Sequence, residues 1–262
     1  MNVLELFSGT GSVGKVCKEI GFDVVSVDLL LPADFKCDIM DFDYKQFPKD
    51  YFGMIWASPP CVEYSICKNS WLNRKLKDGT IYTKEVQEEK RKEADKLVAK
   101  SLEIINYFKP ELWCIENPST GDLKNRDIVK GLPYYDIDYC RYCDWGYKKP
   151  TRIWTNKKDW NALKCEWKCN NLIEIPTNGA IRHDTGKPIK SKTRKLHKVN
   201  CGKSEQSQFL RKHKLNVSKD VHTIGERKKK HKADVSMNIG GGTNRLDRYR
   251  IPPDLIYSLI LE

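Results

Sequence analysis

The 262-residue chain has no stretch near the roughly 18 uninterrupted apolar residues of a membrane-spanning helix, which excludes that class of membrane protein. Its first residues, Met1-Asn2-Val3-Leu4-Glu5-Leu6, lack both a basic leader and a long apolar core, so no secretory signal is expected. Without export, the ten scattered cysteines (17, 37, 61, 67, 114, 140, 143, 165, 169, 201) read as thiols rather than a disulfide framework, and the protein as intracellular. No internal repeat is visible. The glycine-rich turn Ser8-Gly9-Thr10-Gly11-Ser12 lacks the lysine of a phosphate-binding loop and the Gly-x-Gly-x-x-Gly spacing of a dinucleotide site. Gly14 reaches the third glycine position only after an extra slide, so an adenosyl ligand without a pyrophosphate is favoured there.

Charge is present but uneven. Of the net +12, residues 182–232 carry 17 Lys/Arg against 4 Asp/Glu, and the other 211 residues sum to −1. All five histidines (183, 197, 213, 222, 231) lie in that segment. A nearly neutral body with one basic stretch suits contact with a phosphate backbone, although a solvated insertion has the same composition.

Apolar runs alternate with helical patterns along the first half. Val3 to Phe7, Asp23 to Val27, Cys37 to Ile39, Tyr51 to Ala57 and Glu111 to Ile115 read as strands. Val13 to Ile20 and Lys84 to Phe108 read as helices, the second ended by Pro110. This order predicts a mainly parallel α/β sheet covered on both faces. The Lys/Glu-rich stretch from Cys67 to Lys92 reads as a mobile loop over a site or as a solvated helical excursion. Beyond Asn156 the pattern dissolves until Gly240-Gly241-Gly242, read as a hinge, and a closing helix, Asp254 to Leu261.

Two strings stand where strands would present their carboxyl ends: Ser58-Pro59-Pro60-Cys61 and Glu116-Asn117-Pro118. One offers a thiol behind two rigid prolines, the other a carboxylate, a pairing that suits covalent catalysis. Asp28, at the end of the second strand, stands where an acid commonly takes ribose hydroxyls. Asp38 could accept from an exocyclic amine.

In order, Phe7-Ser8-Gly9-Thr10-Gly11-Ser12, Pro60-Cys61-Val62-Glu63-Tyr64-Ser65, Glu116-Asn117-Pro118 and Arg152-Ile153-Trp154 resemble the DNA cytosine-C5 methyltransferase family, in particular its short phage and large-virus members. The likeness covers roughly residues 1–156 and 246–261. It implies a class I, Rossmann-like S-adenosylmethionine-dependent methyltransferase fold. It also implies that Phe7, Gly9, Thr10, Gly11 and Ser12 cradle S-adenosylmethionine, with Asp28 and Leu29 at its ribose, Asp38 and Ile39 at its adenine, and Pro60 nearby. Cys61 would be the nucleophile, Glu116 would hold the N3 edge of the target cytosine, and Arg152 would contact the base and phosphate side. Residues 1–156 would form the catalytic core, 157–242 a basic target-recognition region, and 243–262 a return to the core.

The chemistry asks for these residue types independently. Carbon 5 of cytosine takes a methyl group only after a thiolate has added at C6 with acid help at N3, and the base must first leave the duplex. The implied partner is double-stranded DNA, with RNA as an alternative, acted on by a monomer in the cytoplasm or, for a virus, the host nucleus. A partner nuclease in restriction–modification fits the same family. The family usually has Pro-Cys-Gln, where Val62 stands here, and Lys148 and Pro150 replace the glutamine and first arginine of a later Gln-x-Arg-x-Arg motif. Two rivals stay open: an amino-methyltransferase acting on N4 of cytosine or N6 of adenine, and a catalytically idle nucleic-acid-binding module. Cys140-x-x-Cys143, Cys165-x-x-x-Cys169 and His197-x-x-x-Cys201 have near-zinc spacing. The aromatic run Tyr139, Tyr142, Trp145, Tyr147 fits strand and core instead, so bound zinc is possible but not favoured and no metal ligand is assigned.

Neutralising Arg227-Lys228-Lys229-Lys230 should weaken nucleic-acid binding almost equally for all sequences. It should also lower the log–log salt slope by about 0.9 for each duplex phosphate that is no longer neutralised. An unchanged slope in a salt titration would make this cluster a bystander.

Overall fold

The computed structural model describes residues 1–176, 193–197 and 249–261. The chain divides into two compact units. The first holds Met1–Tyr139, Lys149–Lys164 and Tyr249–Glu262, and the second holds Cys140–Lys148 and the chain from Cys165 to Arg248. The hinge expected at Gly240-Gly241-Gly242, the cluster at 227–230 and most of the basic segment lie outside the described residues.

In the first unit, strands β1 (Asn2–Leu6), β2 (Asp23–Val27), β3 (Met54–Ala57), β4 (Leu112–Pro118), β5 (Tyr134–Asp138) and β6 (Pro150–Thr155) form one sheet in the order β2-β1-β3-β4-β6-β5. Its pairs are parallel from β2 to β4, and β6 runs antiparallel to both neighbours. Five strands therefore point one way. Met54-Ile55-Trp56-Ala57 is buried throughout, as expected of a strand covered on both faces.

Alternation along the strands sorts the two faces. Leu4, Leu6, Ile55, Ala57, Ile115 and Trp154 share a core with Val98, Ile104, Ile105 and Phe108 of helix α2 (Lys84–Phe108). Glu5 points to the other face, toward helix α1 (Ser12–Glu19). Helix α2 starts where Thr83 accepts the Val86 N–H through its hydroxyl, and it ends at Lys109, whose φ of 48° is left-handed. Helix α3 (Pro253–Leu261) buries Leu255, Ile256 and Leu259 and meets α1, where the Tyr257 hydroxyl donates to Glu19 at 2.8 Å.

Several elements differ from expectation. Cys37–Ile39 forms no strand: a single parallel bridge, Val27 to Phe35, is followed by a turn in which Asp38 accepts the Met40 N–H. Short acidic side chains bonding their own backbone compete with strand pairing there. β4 continues past Ile115 through Pro118 because β6 pairs with it, and β5 and β6 themselves carry no clear strand pattern in the sequence. Cys67 to Lys92 combines a short 3-10 helix, Ile66–Trp71, with the first turns of α2. Lys68 is buried, ion-paired to Glu63 at 3.0 Å and set over the Trp71 ring, and residues from Lys84 on already belong to α2. Lys157–Lys164 groups with the first unit and Cys140–Lys148 with the second.

In the second unit, β7 (Leu172–Pro176) and β8 (Thr193–His197) pair antiparallel. Asn171 ties two stretches together by donating to the carbonyls of Cys140 and Cys143 and accepting the Gly146 N–H. Among the described residues, no helix is long and apolar enough to cross a membrane.

Glu5 generates a test of the first unit. It is 3% exposed, its two oxygens accept the Val13 and Gly14 N–H groups, and burial pushes its carboxyl up from 4.5 to about 7. Between those values the folded protein holds this proton more tightly than the unfolded chain. Its contribution therefore favours folding most below about pH 4.5, falls as pH rises, and levels off above about pH 7. The total is up to about 3 kcal/mol. Urea midpoints should drop for the wild type between about pH 5 and 8 and stay flatter for Glu5→Gln. Parallel curves for the two proteins would show that Glu5 has an ordinary pKa.

Candidate active site

The loop after β1 is held from two sides. Phe7, Gly9 and Gly11 have φ of 56°, 54° and 67°, so three of five successive residues lie in the left-handed region. Strain of this kind at Phe7, a non-glycine, persists only where the surroundings enforce it. Asp28 supplies part of that enforcement: Oδ2 accepts the Gly9 N–H at 2.8 Å, and Oδ1 accepts those of Leu30 and Leu31 at 2.8 and 2.7 Å. Glu5 supplies the rest from the α1 side. Gly14 matters for Glu5 rather than for the loop, because a Cβ there would lie 2.7 Å from Glu5 Oε2. The hydroxyls of Thr10 and Ser12 lie 2.9 Å apart, and Ser12 Oγ accepts the Ile251 N–H, so the segment leading into α3 returns to this loop.

The loop after β3 carries Cys61. Asn117, 1% exposed, donates from Nδ2 to the Pro59 carbonyl at 2.9 Å and so pins the strand that follows to the loop that precedes the thiol. Just beyond, Tyr64 is fully buried, its hydroxyl donates to Asp95 of α2, and its carbonyl accepts the Asp122 N–H. Arg126 grips Asp95 and Glu88, and Arg91 pairs with Asp122. The thiol therefore sits on a braced turn.

Glu116 is 7% exposed on β4, and its Oε1 accepts the buried Tyr139 hydroxyl at 2.9 Å. Lys149 Nζ lies 3.7 Å from the same oxygen and 4.2 Å from the Tyr139 ring centroid. Burial pushes the half-buried Cys61 thiol up, the Glu116 charge pushes it further, and Lys149 pulls it back. The fold thus gathers Cys61, Glu116, Tyr139 and Lys149. Tyr139 and Lys149 carried no signal of this role in the sequence. Lys149 fills the variable position between Lys148 and Pro150 of the expected arginine-bearing motif, and its φ of 37° is left-handed.

Arg152 is placed differently. It pairs with Asn117 across β4 and β6, one position from Glu116, so alternation sends it to the opposite face of the sheet. Its guanidinium forks onto Asp136 at 2.7 and 2.9 Å and lies 3.6 Å over the Tyr134 ring. Leu29 is 55% exposed beside Asp28, and Ile39 is buried behind the turn that Asp38 caps. Pro60 is exposed between the Asn117-bound Pro59 and Cys61.

Strand order and the loop after β1 define a Rossmann-like, class I S-adenosylmethionine-dependent methyltransferase, with the reversed β6 set between β4 and β5. No family model matches the chain. A Frog virus 3 (isolate Goorha) protein named "Probable DNA (cytosine-5)-methyltransferase" is 37% identical over 187 residues, spanning 70% of this chain and 84% of its own. The chain belongs to the DNA (cytosine-5)-methyltransferase family. Among solved structures, it is similar to the Entamoeba histolytica methyltransferase EhMeth at 18% identity and a TM-score of 0.40, over 63% of this chain and 56% of that one. Spodoptera frugiperda DNMT2 gives 17% identity and 0.33, over 62% and 52%. The chain spans about half the length of these solved structures, and the family assignment rests on the viral relative.

Methyltransferases of this kind use S-adenosylmethionine. The residues present fit it. Among the described residues, Ser8 Oγ is buried without a hydrogen-bond partner, a Cβ on Gly11 would meet nothing within 4 Å, and Asp28 uses three of its roughly four acceptor positions.

The electrostatics around Cys61 can be read by alkylation. The thiolate is the reactive form, so iodoacetamide capture of Cys61 should rise with pH around a midpoint above the roughly 8.5 of a free thiol. Lys149→Ala should move that midpoint further up and Glu116→Gln should move it down, followed by peptide mass spectrometry. A midpoint unmoved by both variants would separate the three side chains.

Proposed function

We propose that this chain methylates carbon 5 of cytosine in DNA through a covalent adduct on Cys61. The single observation that carries this reading is the meeting of Cys61 and Glu116 at the carboxyl edge of β3 and β4, on a turn braced by Asn117, with Lys149 beside both. In this reading the Cys61 thiolate adds to C6 of a flipped cytosine. Glu116 presents its second oxygen and a proton to N3, because its first is held by Tyr139. Electron density then moves from C6 toward C5, making that carbon nucleophilic. When bound, S-adenosylmethionine supplies a sulfonium methyl group for C5. The C5 proton leaves to solvent, the Cys61 sulfur departs as thiolate, the N3 proton returns to Glu116, and the aromatic ring is restored. Phe7, Gly9, Thr10, Gly11 and Ser12 would hold the cofactor, with Asp28 and Leu29 toward its ribose and Asp38, Ile39 and Pro60 around the base and methyl ends. Arg152 acts as a positioning residue, bracing β5 and β6 through Asp136. Duplex DNA is the substrate in this reading, and a monomer suffices because all four gathered side chains come from one unit.

DNA carrying 5-fluorocytosine at the target should trap a denaturant-resistant complex in the presence of S-adenosylmethionine, since fluorine cannot leave as a proton. Cys61→Ala should abolish both adduct and methylation while cofactor binding persists in calorimetry. Glu116→Gln should slow adduct formation by about 10²–10⁴-fold. Methylation by Cys61→Ala, or an N4- or N6-methylated product, would transfer the assignment to an amino-methyltransferase.

A further inference from the structure

We propose that Cys140, Cys165, Cys169 and His197 bind one zinc ion as a structural site of the second unit. The four ligand atoms lie within 4.8 Å of one another, and every one of these residues is buried, at 4%, 6%, 7% and 1% exposure. His197 Nε2 lies 3.6 Å from Cys165 Sγ and 3.4 Å from Cys169 Sγ. Tetrahedral zinc with bonds of about 2.3 Å to sulfur and about 2.0–2.1 Å to nitrogen sets its sulfur and nitrogen ligands about 3.6 Å apart. The observed separations match that edge. Three soft sulfurs and an imidazole select zinc over calcium or magnesium, which take oxygen.

Three stretches of chain supply the ligands. Cys165 and Cys169 precede β7, His197 ends β8 opposite Leu172, and Cys140 arrives from the stretch 140–148. Asn171, 1% exposed, fixes the two non-hairpin stretches by bonding the Cys140 and Cys143 carbonyls and the Gly146 N–H, and the Trp167 ring lies 5.5 Å from the imidazole. Partners around the ligands are what a metal site needs to hold its geometry. Among the described residues, the apolar cluster here consists of Cys140, Cys165 and Cys169 with Leu172 against them. An ion held by these four side chains would add its binding energy to the folding of this unit. Four protein ligands leave no open position, so the ion is structural and takes no part at Cys61. This goes beyond the reading of the sequence, in which zinc is possible and no ligand is assigned. It also replaces the pairs read there, since Cys143 stands outside the cluster and Cys201 lies outside the described residues.

The full chain, purified under reducing conditions without chelator, should contain about one zinc per molecule by plasma mass spectrometry. Cys169→Ser and His197→Asn should lose most of that zinc, Cys143→Ser should keep it, and all three should still bind S-adenosylmethionine in calorimetry, which reports a folded first unit. Because a ligand variant could misfold, cobalt replacement of zinc in the wild-type chain gives an independent reading. Strong visible bands of tetrahedral cobalt with thiolate charge transfer in the near ultraviolet are expected. Metal-free wild type that remains colourless with cobalt would overturn the proposal, as would a disulfide between any two of the three cysteines in peptide mapping.

Discussion

One hydrogen bond, from the Asn117 amide to the Pro59 carbonyl, holds the two halves of the candidate active site in register. It works because β3 and β4 pair in parallel, with Ala57 beside Ile115, so that both strands release their chains at the same edge. The amide is buried, and a buried carbonyl left unpaired would cost about 1–3 kcal/mol, so the bond is favoured twice over. Everything that brings the Cys61 thiol near the Glu116 carboxylate follows from this shared edge. The brace behind it, from Tyr64 to Asp95 and on to Arg126, keeps the turn from opening away from β4.

A second buried acid governs the neighbouring loop. Glu5 stands in an apolar strand, and its carboxyl takes the first free N–H groups of α1, which positions the helix start against the sheet. Asp28 performs the matching task from β2. The two acids thus shape the turn between them, and the left-handed residues Phe7, Gly9 and Gly11 are the consequence. The shape of this loop and the stability of the first unit are therefore coupled through the same side chains.

The two units solve the stability problem in different ways. The first buries strands on both faces and draws α3 back over α1. The second has a two-stranded hairpin, and its buried described residues include Cys140, Cys165, Cys169 and His197 beside Tyr142 and Asn171. Concentrated ligand chemistry of this kind is economical in chain length. It also leaves the surrounding sequence free to be polar and basic, as residues 182–232 are.

Local sequence determined the elements whose signals are short-range. The span of α2, Lys84 to Phe108 ahead of Pro110, was legible because helical spacing and a proline stop act within a few residues. The parallel core strands were legible because burial on both faces makes them continuously apolar. Pro59-Pro60-Cys61 and Glu116-Asn117 announced themselves by residue type at strand ends. What tertiary structure alone decided depends on which residues meet across the chain. Tyr139 and Lys149 reach Glu116 only because β6 folds back beside β4, and the same pairing sends Arg152 to the other face, a one-residue difference in a period of two. Glu5 looked like an ordinary strand acid until α1 supplied its N–H partners. The metal ligands come one or two at a time from stretches about 25–30 residues apart, so neither Cys140 nor His197 could be matched to Cys165 and Cys169 by spacing. Strand and helix signals are local, whereas convergence of side chains is a property of the folded chain.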